Sequence, residues 1–333
     1  MSYTNGLDNP ELYFQCKIYT GDGNTGRSIT LDGSEDMQPD LVWIKNRDTA
    51  RKNNVYDSVR GVTKRIVSDS TVAEDTAGNG LTAFNSDGFT TGSETDTNND
   101  TDGIVAWCWK ESATAGFDIV SYTGDGNAGA TVSHSLSATP SFYVVKTRDS
   151  AYDWRAYHKG IGETKYLNLN QNVAVATATN AWNDTAPTSS VFSLGDGSTV
   201  NQDTDDFIAY CFAEKQGFSK FSSYTGNGNA DGTFVYTGFR PAFVLFKGLA
   251  SNREWILADN KRDDPHNVID AVIYGNTNDP EGTNTMVDFL SNGFKFRTSA
   301  GPGTINTGGE SYIYAAFAEA PFVNSNGVPC NAR

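Results

Sequence analysis

No apolar run in the sequence approaches the ~18 residues that a membrane-spanning helix needs. The first ten residues are polar, with neither a basic end nor an apolar core. Neither a transmembrane helix nor a signal peptide is expected. Cysteine is scarce: 4 residues (Cys16, Cys108, Cys211, Cys330) are too few for a disulfide scaffold and fit no short-spaced zinc pattern. There are 3 Met and no long Ala/Glu/Lys/Leu stretch of the kind that builds extended helices. Positive charge is in short supply, with 25 Lys and Arg against 40 Asp and Glu, a net charge of −15. That balance excludes nucleic acid and anionic membranes as expected partners, because both are bound through clustered Lys and Arg. Catalytic signatures are missing too: there is no Gly-x-Ser-x-Gly elbow and no phosphate loop. The 3 His (His134, His158, His266) occupy unrelated positions. No catalytic residue, cofactor or metal is expected.

Aromatic residues, by contrast, are plentiful. Fifteen Tyr, 19 Phe and 6 Trp give the chain enough apolar surface to bury a sizeable core. Gly numbers 33, among many Asn, Asp, Thr and Ser, which argues for short strands joined by turns.

An internal repeat sets the architecture. Tyr19-Thr20-Gly21-Asp22-Gly23-Asn24 returns as Tyr122-Thr123-Gly124-Asp125-Gly126-Asn127 and as Tyr224-Thr225-Gly226-Asn227-Gly228-Asn229. Pro39, Pro140 and Pro241 each open an apolar stretch ending in Lys45, Lys146 and Lys247, and a third match covers 104–109, 207–212 and 312–317. The expected fold is all-β: three tandem β-sandwich, jelly-roll-like repeats of about a hundred residues. Its boundaries are a 1–13 arm, units at 14–116, 117–217 and 218–322, and a 323–333 tail. Acidic residues outnumber basic ones in each unit, 16 to 10, 11 to 6 and 11 to 8, so none is a hidden basic module. A unit this long can close its own core. In the middle unit the spacing predicts strands over 117–122, 131–135, 141–146, 154–157, 165–168, 191–194 and 207–212.

Several stretches together resemble a repeat family common in virion and tail-fibre-like proteins of marine bacteriophages. They are Asn5-Gly6-Leu7-Asp8, the Tyr19–Asn24 motif, Gln38-Pro39-Asp40-Leu41-Val42-Trp43-Ile44-Lys45-Asn46-Arg47, Tyr56-Asp57-Ser58-Val59-Arg60-Gly61-Val62-Thr63-Lys64, Ser86-Asp87-Gly88-Phe89 and Val105-Ala106-Trp107-Cys108-Trp109-Lys110. The resemblance covers nearly the whole chain and implies a scaffold, since that family has no catalytic pattern to carry over. The later units lack the Tyr-Asp-Ser-Val-Arg-Gly stretch. The implied role is a non-enzymatic virion structural protein, a tail-fibre or receptor-facing component assembled in the host cytoplasm, with a capsid decoration or head fibre as the alternative. Implied partners are other tail or capsid proteins, a host cell-surface glycan or protein, and further copies in a homo-oligomer. From other classes, a polysaccharide-degrading tail glycosidase and a lectin unrelated to phage remain open.

Individual residues carry competing readings. Asp22 with Asn24, and Asp125 with Asn127, offer oxygen ligands for calcium, yet Asn227 replaces the carboxylate while both glycines stay, which favours a turn. Asp96, Asn98, Asn99, Asp100 and Asp102 form a denser cluster that lacks EF-hand spacing. Glu94-Thr95-Asp96-Thr97-Asn98-Asn99 nearly meets a glucanase Glu-x-Asp-x-x-Glu pattern but ends on Asn99. Glu214 and Glu319 read as strand-end surface carboxylates. Cys108 and Cys211 share a position with Ala316, so both read as buried, inert thiols. Trp182 reads as a core plug, with the inserted segment 185–190 as the better contact loop. Lys45 and Lys146, each two residues before an Arg (Arg47, Arg148), read as basic pairs on an acidic surface. The connections 68–81, 170–190 and 263–284 differ most between units, so partner contact is expected there and in the acidic cluster, at Asp96, Asp100, Asp102, Thr185, Pro187, Asp264 and Asn278.

Overall fold

The structure, a computed structural model, describes residues 7, 9–263 and 267–319. It is all-β, with antiparallel pairing throughout the named strands. Unit one supplies β1 (Phe14–Thr20), β2 (Arg27–Ile29), β3 (Leu41–Asn46), β4 (Asn54–Asp57), β5 (Lys64–Val67), β6 (Asp75–Thr76), β7 (Leu81–Asn85), β8 (Gly88–Thr91) and β9 (Gly103–Trp109), with a four-residue helix α1 (Thr95–Asn98). The inner sheet runs β1-β9-β3-β4-β5-β6 and the outer sheet β2-β8-β7.

All seven strands expected in the middle unit are present within one or two residues, from Phe117–Thr123 to Asp206–Phe212. The sequence reading misses only short elements there: Ala176–Thr177 and the helical turns Thr179–Trp182 and Ser198–Asn201. Its inner sheet follows the strand order of unit one place for place. In unit three a nine-residue strand, Gly282–Leu290, continues from the inner sheet through Gly293–Phe296 to Phe234–Tyr236, merging both layers into eight strands. Registers agree as well: Tyr19 faces Ile104, Tyr122 faces Phe207 and Tyr224 faces Tyr312.

All six residues of β3 are buried because both faces of the inner sheet are covered. Val42 and Ile44 point to the unit's own outer sheet, against Ile29, Leu81 and Phe89. Leu41 and Trp43 point the other way, into a core common to all three units with Phe142, Val144, Phe243 and Leu245. A strand covered on both faces reads as a continuous apolar run, which is how Leu41-Val42-Trp43-Ile44 reads. Each unit thus closes one face alone and gives the other to its neighbours. The common core surrounds an apolar and aromatic cavity of about 50 Å³. Such a space has no polar partners for water and stays dry.

Candidate functional site

The repeated Gly-Asp-Gly-Asn turn is held from beneath by a buried asparagine. In unit one Asn98 Nδ2 donates to Asp22 Oδ1 (3.0 Å), Asn24 O (2.9 Å) and Gly92 O (2.9 Å), while its Oδ1 accepts from Asp22 N (3.1 Å). Asn201 repeats this on Asp125, Asn127 and Gly195, and Asn306 on Asn227, Asn229 and Thr298. Tyr19, Tyr122 and Tyr224 close the same corner by donating to Thr97 O, Val200 O and Ile305 O. Backbone and side-chain hydrogen bonds, chiefly from Asn24 N and Asn98, hold Asp22 below the usual carboxylate range, and Asn127 and Asn201 do the same for Asp125. An amide makes the same bonds at Asn227, so the position requires an acceptor oxygen and no charge.

The acidic cluster does not converge. Asp96 is buried in α1 and pairs with Arg65 (3.3 Å), which also faces Glu94 (3.9 Å) and Asp75 (2.5 Å). Glu94 and Asp96, the two carboxylates of the near-glucanase pattern, are therefore engaged by one arginine. Burial raises the pKa of Asp102, but hydrogen bonds from Asn46, Asn99 and Thr49 outweigh it and lower the pKa overall. Asp100 is exposed. Among the described residues no three His, Cys, Asp or Glu are placed to hold a metal.

The variable connections, expected as outward contact loops, join the units to one another. At the first joint, between units one and two, Glu74 N donates to Arg148 O, and the Arg148 guanidinium grips the Glu74 carboxylate (3.0 and 3.1 Å). Behind them Arg60 bonds Asp57, and Tyr210 of unit two donates to Asp57 (2.6 Å). At the third joint, between units three and one, the same places are taken by Glu281 on Arg47 (2.7 and 2.9 Å) and by Arg262 on Asp259, with Trp107 Nε1 donating to Asp259 (3.0 Å). At the second joint, between units two and three, the backbone bridge persists as Val175 N to Leu249 O. The side chains on the bridge, Val175 and Leu249, are apolar; beside them His158 bonds Tyr314 O (3.1 Å) and Asn172 Nδ2 donates to Glu254 Oε1 (2.8 Å). A further bond marks each joint in turn: Trp154 Nε1 to Val67 O, Trp255 Nε1 to Asn168 O and Asn53 Nδ2 to Tyr274 O. The joints run one to two, two to three and three to one, so the ring is closed.

These contacts correct several expectations. Asn278 is exposed, but its carbonyl accepts from Lys45 Nζ at the third joint (2.9 Å). Pro187 and Asp96 are buried and cannot form a contact surface. Thr185 is exposed; Asp264 lies outside the described residues. Lys45, Lys146 and Lys247 are fully buried and bond only backbone carbonyls, and burial lowers each pKa to about 8. The surface-pair reading of Lys45 and Lys146 is thus corrected; for Lys45, as for Lys247, one of the carbonyls it bonds belongs to a neighbouring unit, which a local pattern does not show. Glu319 is likewise buried, paired with Lys261 (3.2 Å), whereas Glu214 is partly exposed between Lys159 and Lys220.

Other readings hold. Cys108 and Cys211 are free and buried in their own units' outer cores, and Ala316 is in the third. Cys16 is free and buried; Cys330 and His266 lie outside the described residues. Trp182 is fully buried against Tyr143, its indole donating to Lys165 O (3.1 Å). Sequence reasoning missed the joint residues, although a signal existed: Asp-x-x-Arg occurs at Asp57–Arg60 and Asp259–Arg262 but reads His158-Lys159-Gly160-Ile161 in unit two.

A family model described as Domain of unknown function (DUF7483) matches residues 9–321, a span that takes in all three units and all three joints. The chain belongs to this family. Searches of the curated proteins and of the solved structures give no match. The family match thus encloses the whole ring and treats it as one piece.

Proposed function

We propose that this DUF7483 chain is a non-enzymatic structural or adhesive protein of a bacteriophage particle, a tail-fibre or other receptor-facing component built of three tandem β-sandwich repeats. The observation that carries this reading is the closure of three equivalent sheets around one core. The conspicuous polar residues, Asp57, Arg60, Glu74, Arg148, Asp259, Arg262 and Glu281, are consumed in locking the units together. What is left outside is a rigid frame with polar turns and the exposed stretch around Thr185, a form suited to presenting weak, repeated contacts to tail or capsid proteins or to a host surface. The phage assignment rests on the motif resemblance.

Mass spectrometry of purified particles, with antibody labelling in electron micrographs, tests the reading. Fixed stoichiometry and label on the tail are expected, together with loss of host adsorption when the gene is deleted. Absence from purified particles would sink the proposal. Release of reducing ends from host surface polysaccharide by the purified protein would overturn its non-enzymatic part.

A further inference from the structure

Beside the repeated tyrosine the three units differ in its cross-strand partner, Ile104, Phe207 or Tyr312, and at a second place on the outer sheet. The outer-sheet pairings Ile29 with Phe89, Val132 with Phe192 and Val235 with Phe294 align the units. Two residues earlier stand Arg27, Ala130 and Thr233. In unit one the Arg27 guanidinium lies over the Tyr19 ring, 5.5 Å from its centre. It also reaches Asn98 Oδ1 (3.3 Å) and Asp22 Oδ1 (3.8 Å). In unit three the ring of Tyr224 is covered by Phe296, with centres 4.8 Å apart, and Thr233 bonds Thr225 O (3.0 Å). In unit two Ala130 fills nothing, and a cleft of about 290 Å³ opens over Tyr122, with Asp125, Leu194 and Asn201 in its walls.

The groups that hold Arg27 are all still there. Asn201 and Asp125 are locked to each other as Asn98 and Asp22 are, at 3.1 and 2.9 Å against 3.0 and 3.1 Å. Tyr122 is half-buried, and Asp125 is exposed. An aromatic face, a carboxylate and an amide oxygen in this arrangement suit a planar cation whose donors fan out in one plane. Unit two is also acidic, with 11 Asp and Glu against 6 Lys and Arg.

We infer that the cleft of unit two is a receptor for an arginine side chain presented by a partner protein. The cleft lies between two strand edges, Phe117–Thr123 at the end of its sheet and Thr131–Ser133, paired on one side only with Val191–Ser193. Their unpaired backbone groups can bind the main chain on either side of the entering arginine, which free arginine lacks. The inference is independent of the phage assignment.

The test uses the full chain and the peptide acetyl-Gly-Arg-Gly-amide, followed by NMR shifts at Tyr122, Asp125 and Ala130. Saturable shifts are expected there, with roughly tenfold weaker binding by the lysine peptide and by Asp125→Asn, which removes a charge-assisted bond. Asp125→Asn copies Asn227 of unit three, so the turn survives the change. Ala130→Arg supplies the guanidinium from within and should abolish binding while raising the melting temperature. No saturable shift, equal affinity for the lysine peptide, or unchanged binding by Asp125→Asn would overturn the site. Tighter binding of free arginine than of the peptide would overturn the partner-chain assignment.

Discussion

The first and second joints have the same backbone bridge and opposite chemistry. Glu74 to Arg148 and Val175 to Leu249 are the same main-chain bond. Around the first, Asp57, Arg60, Glu74, Arg148 and Tyr210 form a paired ionic network, buried at Asp57, Arg60 and Tyr210 and partly exposed at Glu74 and Arg148; around the second stand Ile161, Val175, Leu249, a single buried His158 and, nearer the surface, Asn172 on Glu254. The third joint follows the first, with Asp259, Arg262, Glu281 and Arg47. The geometry therefore does not depend on charge. What the ionic version fixes is which partner is tolerated, because a half-complete network leaves a buried ion behind.

Breaking the network should have the largest effect. Asp57→Ala takes the nearest carboxylate from Arg60, whose side chain is fully buried, leaving it Glu74 at 3.3 Å and leaving the Tyr210 hydroxyl without its acceptor, and about 3 kcal/mol of stability should be lost. Denaturant unfolding measures it; a loss below 1 kcal/mol would mean that the arginine finds another partner.

Next in size comes acid sensitivity, which separates the joints by pH. Gly160 N donates to His158 Nδ1, so the proton sits on Nε2, and burial lowers the pKa to about 4. The unfolded chain takes up a proton near pH 6.5 and the folded one near 4, so stability falls as pH drops through that window, by up to about 3 kcal/mol. In His158→Gln the stability-against-pH curve between 4 and 6.5 should flatten. At the third joint Asp259 works lower. Burial raises its pKa, but Arg262 outweighs this, and its contribution is lost only as pH falls below the usual carboxylate range.

Exchanging chemistry sharpens the comparison further. The combined change Asp57→His, Arg60→Ile, Glu74→Val, Arg148→Leu and Tyr210→Ala gives the first joint the second joint's residues, Ala315 being the counterpart of Tyr210. Stability should stay within about 1 kcal/mol of the parent or rise, with less dependence on salt. A collapse would show that the ionic joint and its surroundings are matched in shape as well as charge. Smallest of all, Lys159→Ala should cost less than about 1 kcal/mol, since its pair with Glu214 lies at the surface.

The sequence displayed the units plainly, because strands, turns and their offsets are local patterns repeated three times. The Tyr-Thr-Gly-Asp-Gly-Asn turn could be read as structural from Asn227 alone, and its buried Asn98, Asn201 and Asn306 then explain why. Lys45 and the loops at Glu74 and Glu281 were misread for one physical reason: what covers or grips them comes from another unit, 74 residues away for Glu74 and Arg148 and 234 for Arg47 and Glu281. Periodicity shows that a face is apolar or polar; it does not show which distant surface lies against it. The cleft over Tyr122 was legible only in outline, as Ala130 standing where Arg27 does, and became a site once Arg27 was seen over its tyrosine.

Closure of the three sheets within one chain has an evolutionary consequence. Three identical subunits around an axis must use one sequence at every interface, so any change at one appears at all three. Linking the units into a single chain lifts that constraint. The joint between units two and three could become apolar while its neighbours stayed ionic, and one of three equivalent tyrosines could be uncovered while the other two stayed capped. Covalent continuity here permits the loss of symmetry, and with it a specialised face on an otherwise repetitive frame.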